Sequence, residues 1–208
     1  MTLIIITIII TAIISITAFQ NKEVMRKLQL NPYNIVHKKE WHRVITHAFI
    51  HADWMHLIFN MFVLFSLGST VENILNQLEA ESYIKSAPFT YILLYFGGII
   101  FSSLTTVKQY KDDALYNAVG ASGAVSAIVF VFIFFMPLEK LYLFMLPIPI
   151  PGFIFGLLYL GFSAYMSKKG KDNINHQAHF MGALFGLIFP LFIDIKLFMI
   201  FINQLFGS

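Results

Sequence analysis

The chain has 208 residues, 58% of them hydrophobic and only 12% charged, with a net charge of +3 and no cysteine. An average soluble domain is roughly 25% charged, so this composition describes an integral membrane protein built for the lipid bilayer. The small charge excess, with no P-loop, zinc-finger or RNP-like pattern, offers nothing to nucleic acid, and the lack of cysteine excludes disulfides, thiolate metal sites and a Cys nucleophile.

Six hydrophobic segments follow one another along the chain. The first, Thr2 to Phe19, is an Ile/Thr-rich run long enough for about 27 Å of helix. It has neither a basic leader nor an A-x-A cleavage site and reads as a retained span. Trp54–Asn76, Phe89–Val107, Ser122–Met136, Ile150–Met166 and His176–Phe192 come next. Polar breaks at Asn21–Asp53, Gln77–Pro88, Lys108–Asp113, Pro137–Pro147 and Ser167–Asn175 separate them. The fourth segment is short against the ~20 residues a bilayer requires. The tail from Asp194 to Phe206 is too short to cross, so it lies at the interface or extends the sixth helix. There is no internal repeat or low-complexity tract. The expected fold is all-α: one polytopic six-helix membrane domain over residues 1–208.

The fourth segment opens on "GASG", Gly120 to Gly123. A serine in a membrane helix is usually a packing residue. The loop before it argues for more. Asp112 and Asp113 hold the chain near water, and "ALYNAVGA" can dip into the membrane only by lining a protein cavity, because irregular backbone facing lipid leaves amides unpaired. The helix would then start below the surface, with Ser122 at its N-terminus among free N–H groups and the positive end of the dipole. That geometry suits an oxyanion.

A serine nucleophile needs a base. Of the seven histidines, His179 lies inside the sixth segment, where an ionisable side chain is costly and functional by default. His179, Gly182 and Gly186 share one helical face, and Ser122 and Ser126 give the fourth helix a matching small face, so the two helices can approach closely. Three spans precede Ser122 and five precede His179, which puts both on the same side of the membrane. His56 and Asn60, four residues apart in "WMHLIFN", follow one span and share that side.

The stretches "WHRVITHAFIHADWMHLIFNMF", "GASGA" and "AHFMGALFG" together resemble the rhomboid family of intramembrane serine proteases. The likeness runs from about Trp41 to about Pro190. GxSG and AHxxG are weak alone; H-x8-H-x3-N (His47, His56, Asn60) followed by both, in order, is a strong signature. The resemblance implies Ser122 as nucleophile, His179 as general base, and His56, Asn60 and the Ser122 amide as oxyanion donors. It implies a dyad without an aspartate and without a metal or other cofactor. It also implies a laterally mobile fifth helix that admits transmembrane protein substrates. Arg43 and Glu72 match the family's W-R and V-E positions, although His42 here separates Trp41 from Arg43.

The remaining histidines carry blander readings. His47 and His51 form HxxxH, yet Asp53 is the one nearby carboxylate, so bracing of the first loop is favoured over a metal site. His37 and His42 read as solvated or interfacial, and His176 as structural or lining the access route. Lys38–Lys39 and Lys168–Lys169 read as solvated or at lipid headgroups. Orientation gives conflicting signals. Lys22, Arg26, Lys27, Lys38, Lys39, Arg43, Lys108, Lys111, Lys168, Lys169 and Lys171 fall on the Ser122 side, against Lys85, Lys140 and Lys196 opposite. The positive-inside rule turns that side to the cytosol. The family resemblance implies the opposite: a multi-pass protein of the cell membrane with an extracytoplasmic site.

Overall fold

The computed structural model describes residues 2–143, 146–170 and 174–207. Phe144 and Met145 of the fourth polar break, and Lys171–Asn173 of the fifth, lie outside the described residues. Helix α1 spans Leu3–Gln20 and starts on the Thr2 hydroxyl, which accepts the Ile5 N–H. The long first break is itself helical: α2 (Lys22–Leu28), α3 (Pro32–Lys38) and α4 (Arg43–Thr46), then a 3-10 turn at His47–Phe49. Asn21 and Asn31 cap α2 and α3 with their side chains, and Pro32 occupies the first turn of α3, where a missing N–H costs nothing.

The apolar segments follow as α5 (Trp54–Ala80), α6 (Ala87–Tyr110), α7 (Ser122–Phe135), α8 (Gly152–Lys169), α9 (His176–Ile193) and α10 (Leu197–Phe206). Asp53, Ser86 and Asn175 cap α5, α6 and α9. Among the described residues four helices, α1, α5, α6 and α9, are long and apolar enough to cross a membrane. The other two expected spans fall short by that measure: α7 has 14 residues, and α8 ends on Lys168–Lys169. The tail does not extend α9. Asp194 stops it in extended backbone, and α10 follows as a separate helix.

Helix α7 occupies the centre. Every residue from Gly123 to Phe135 is buried, against α5, α6, α8, α9 and α10. A helix that is apolar all round and touches protein on every side needs no lipid-matched length. The Pro137–Pro147 break, read from sequence as a connection, carries an antiparallel hairpin, β1 (Lys140–Leu143) and β2 (Leu146–Pro151), pairing Leu141 with Ile150 and Tyr142 with Pro149. Prolines fit because an antiparallel ladder uses alternate N–H groups, and the Pro positions of β2 alternate with isoleucines.

The helices are pinned by few but specific polar bonds. Glu72, in the middle of α5, accepts the Leu3 N–H at 2.8 Å and so fixes the start of α1. Arg43 is buried. Its Nε meets Glu40 at 2.5 Å, and its Nη1 donates to the carbonyls of Arg26 and Gln29, which ties α2 to α4. Trp41 is 57% exposed, so of the Trp41 and Arg43 pair it is Arg43 that enters the interior of the first loop.

Candidate active site

Ser122 is the first residue of α7, and His179 sits one turn into α9. His179 Nε2 lies 2.8 Å from Ser122 Oγ. What brings them together is the absence of side chains. A Cβ at Gly182 would overlap the Gly123 backbone, and one at Gly186 would overlap the backbone of Ala127. The α7–α9 contact is therefore backbone against backbone. This amends one expectation. The residues of α7 that receive the glycines are Gly123 and Ala127, one position on from Ser122 and Ser126. Gly123 in turn lies so close to Ser102 of α6 that a Cβ would overlap its hydroxyl.

Ser126 turns instead toward α8, where its hydroxyl is 2.7 Å from the Tyr159 hydroxyl. The Tyr159 ring lies nearly parallel to that of His179, with centroids 6.5 Å apart. Asn175 fixes the start of α9: its Oδ1 accepts the Ala178 N–H, and its Nδ2 donates to Thr106 of α6 at 2.9 Å. His176 is buried, its ring 6.1 Å from His179 and 5.6 Å from Phe162 of α8.

The loop into Ser122 is held by three histidines of the first loop and α5. The Gly120 N–H donates to the His47 carbonyl at 2.9 Å. The Ala121 N–H points at His51 Nε2, 3.4 Å away. With Nε2 accepting, the His51 proton sits on Nδ1 and donates to Ser15 Oγ at 2.9 Å, and the Ser15 hydroxyl donates in turn to the Phe49 carbonyl. His47 Nδ1 donates to the Arg43 carbonyl at 3.0 Å. Burial pushes His47 down to about 4 and His51 to about 3, so both rings are neutral at pH 7, as acceptance through Nε2 requires. The HxxxH pair braces the loop, and among the described residues no three His, Cys, Asp or Glu side chains are grouped to hold a metal.

His56 lies over Gly120. That residue has φ +118°, which favours glycine, and a Cβ there would stand 2.6 Å from the imidazole Cε1. Asn60, one turn on, is buried and donates from Nδ2 to the His56 carbonyl at 2.8 Å. Ala121, the N-cap of α7, makes no side-chain cap, and among the described residues no side chain accepts from the first-turn amides beside Ser122. Farther out, the Leu30 and Ala118 backbones exchange two hydrogen bonds, and Asn31 Nδ2 reaches the carbonyls of Ala114 and Tyr116. These tie the first loop to the loop before Ser122.

Three participants escaped the sequence reading: Tyr159, Asn175 and the Ser15–His51 relay. Tyr159 left a signal, since a mid-span tyrosine must find a partner for its hydroxyl. Ser15, within the Ile/Thr-rich first segment, left none.

The chain is thus a helical, polytopic membrane protein with a Ser–His pair at the head of its central helix. Residues 38–195 match the family model described as a Rhomboid domain, and the chain belongs to the rhomboid family. It is 31% identical over 159 residues to RHOMBOID-like protein 12, mitochondrial, of Arabidopsis thaliana, covering 71% of this chain and 45% of that one. It is 26% identical over 152 residues to Rhomboid protein 1, mitochondrial, of Saccharomyces cerevisiae, covering 73% and 41%. To the putative rhomboid protease YdcA of Bacillus subtilis it is 31% identical over 103 residues, covering 49% and 45%. The chain spans less than half the length of these relatives.

Proposed function

We propose that this protein is an intramembrane serine endopeptidase that cleaves peptide bonds in or near the transmembrane segments of other membrane proteins. The observation that carries the reading is the 2.8 Å approach of His179 Nε2 to Ser122 Oγ. In the proposed cycle His179 takes the Ser122 proton as Oγ attacks the carbonyl, then protonates the leaving amine. The Ser122 amide, with His56 and Asn60, holds the developing oxyanion, where low dielectric makes each bond count. Water then releases the acyl group, returning its proton through His179. No cofactor enters the reaction. In this reading α7 and α8 complete six spans, and α8 is the side through which a substrate helix reaches Ser122. We place the site extracytoplasmically in the cell membrane. Two of the relatives are named as mitochondrial, so fractionation of a tagged chain tests the membrane, and a reporter after Phe206 tests the orientation by being cytoplasmic.

The deciding experiment is cleavage of a model transmembrane substrate by the purified chain in liposomes. Ser122→Ala and His179→Ala should each abolish it while remaining folded, because nucleophile and base act as a unit. A fluorophosphonate should label wild type at Ser122, and EDTA should leave turnover intact. Near-normal turnover in either variant would sink the dyad. A chain that binds membrane clients without labelling would be a non-catalytic relative, and loss with EDTA restored by Zn²⁺ would indicate a metalloenzyme.

A further inference from the structure

We propose that the first loop carries a binding site for a phosphate anion, presented by the headgroup of an anionic membrane phospholipid. A cavity of about 320 Å³ lies between α2, α3 and the loop before Ser122, lined by Arg26, Asn31, Tyr33, Asn34, Lys38 and Arg43 among others. Arg43 is its innermost cation. The side chain is 7% exposed, its Nε is taken by Glu40 and its Nη1 by two carbonyls. Among the described residues its Nη2 has no partner, which leaves that amine as the open donor in the wall. Arg26 and Lys38 are exposed at the rim, and among the described residues neither side chain is in an ion pair. Of the acidic side chains of this loop, Glu40 is paired with Arg43 and Glu23 with Lys27. Three cations thus converge on one concavity with no free carboxylate in its lining. The open Nη2 of Arg43, with the Arg26 guanidinium and the Lys38 ammonium at the rim, suits the oxygens of a phosphodiester.

The position in the membrane selects the source of that phosphate. Trp54 opens α5, is 55% exposed, and packs on Phe19 near the end of α1 with ring centroids 5.0 Å apart. Trp41, at 57% exposure, stands on the same loop as the cavity. Exposed tryptophans at the ends of spans mark the headgroup level. Helices α2 and α3 lie in sequence between Phe19, which packs on Trp54, and Trp41, so a phospholipid can reach the cavity from the side while its chains stay in the bilayer. Basic pockets at this level recognise anionic headgroups, with roughly fivefold in affinity, about 1 kcal/mol, for each Lys or Arg engaged. The site also gives part of the positive charge on the Ser122 side a role other than setting orientation.

The test reads lipid retention and so stands apart from peptidase activity. Wild type, Arg26→Gln/Lys38→Gln and Lys22→Gln/Lys111→Gln are each placed in vesicles of mixed phosphatidylglycerol and phosphatidylcholine, extracted, and weighed by native mass spectrometry. Wild type should keep phosphatidylglycerol in preference to phosphatidylcholine. The cavity variant should lose that preference by roughly thirtyfold or more. The control, which removes the same charge outside the cavity, should stay within about threefold. Inorganic phosphate alone separates the sources: failure to displace the lipid at millimolar concentration supports a headgroup site, and full displacement with binding of phosphate itself assigns the cavity to the soluble anion. Equal loss in both variants, or none in the cavity variant, overturns the site.

Discussion

Helix α7 meets its two partners at the candidate site in opposite ways. Toward α9 the contact is backbone on backbone, with glycines at 182 and 186 allowing no atom to be added. Toward α8 it is sparse. Helix α8 buries only Gly152, Gly156 and Ser163, and near the dyad a side-chain bridge, Ser126 to Tyr159, spans the gap. Close packing without slack fixes relative position, whereas one hydrogen bond between hydroxyls, worth about 1 kcal/mol, can be broken and remade. The candidate Ser122–His179 pair is built across the fixed contact, and the side through which the proposed function brings a substrate helix is the loose one.

The largest effect should come from filling the fixed contact. Gly182→Leu forces α9 away from Gly123, so fluorophosphonate labelling should vanish and the thermal midpoint in detergent should fall. Gly161→Leu on α8, where nothing lies within 4 Å, should keep both. If Gly182→Leu labels at the wild-type rate, the glycine contact does not position the dyad.

Next in size is the oxyanion pair. Asn60→Ala should lower kcat roughly ten- to a hundredfold with little change in KM, since the oxyanion exists only after attack. His56→Ala should cost more, because the ring also covers Gly120, and the double variant should be slower than either. Wild-type cleavage by all three would place the oxyanion site elsewhere.

The loose contact should give smaller, divided effects. Tyr159→Leu removes both the ring beside His179 and the bond to Ser126, so fluorophosphonate labelling should slow by about tenfold. Tyr159→Phe keeps the ring and should slow it by roughly twofold, the ~0.5 kcal/mol at the low end for one hydrogen bond. If Tyr159 merely closes the α8 side, both variants would instead label normally and cleave the transmembrane substrate faster.

The smallest effect is on stability in acid. His47 and His51 have folded values near 4 and 3, below the ordinary histidine range near 6.5. The unfolded chain therefore binds protons first. The stability these rings contribute is complete above about pH 6.5 and is lost as pH falls from there toward 4 for His47 and 3 for His51. The thermal midpoint should drop by several degrees between pH 7 and pH 5. His51→Asn should flatten part of that slope, and an unchanged slope would remove His51 from the brace.

The sequence by itself determined the membrane class and the apolar segments within a few residues, and it singled out Ser122, His179, His56 and Asn60 as candidates. Hydrophobicity is a sum over local residues, and with six spans proposed, counting crossings puts the candidate residues on one side. Tertiary structure alone decided which small faces meet. Helical period puts Ser122 and Ser126 on one stripe, but only the crossing of α9 shows that Gly123 and Ala127 receive the glycines while Ser126 turns to Tyr159. The same holds for the relay through Ser15, 36 residues from His51, and for the Arg26–Lys38–Arg43 cavity. Such pairings depend on where the chain returns in space, and hydrogen bonds and packed backbones at long sequence separation leave no period to read.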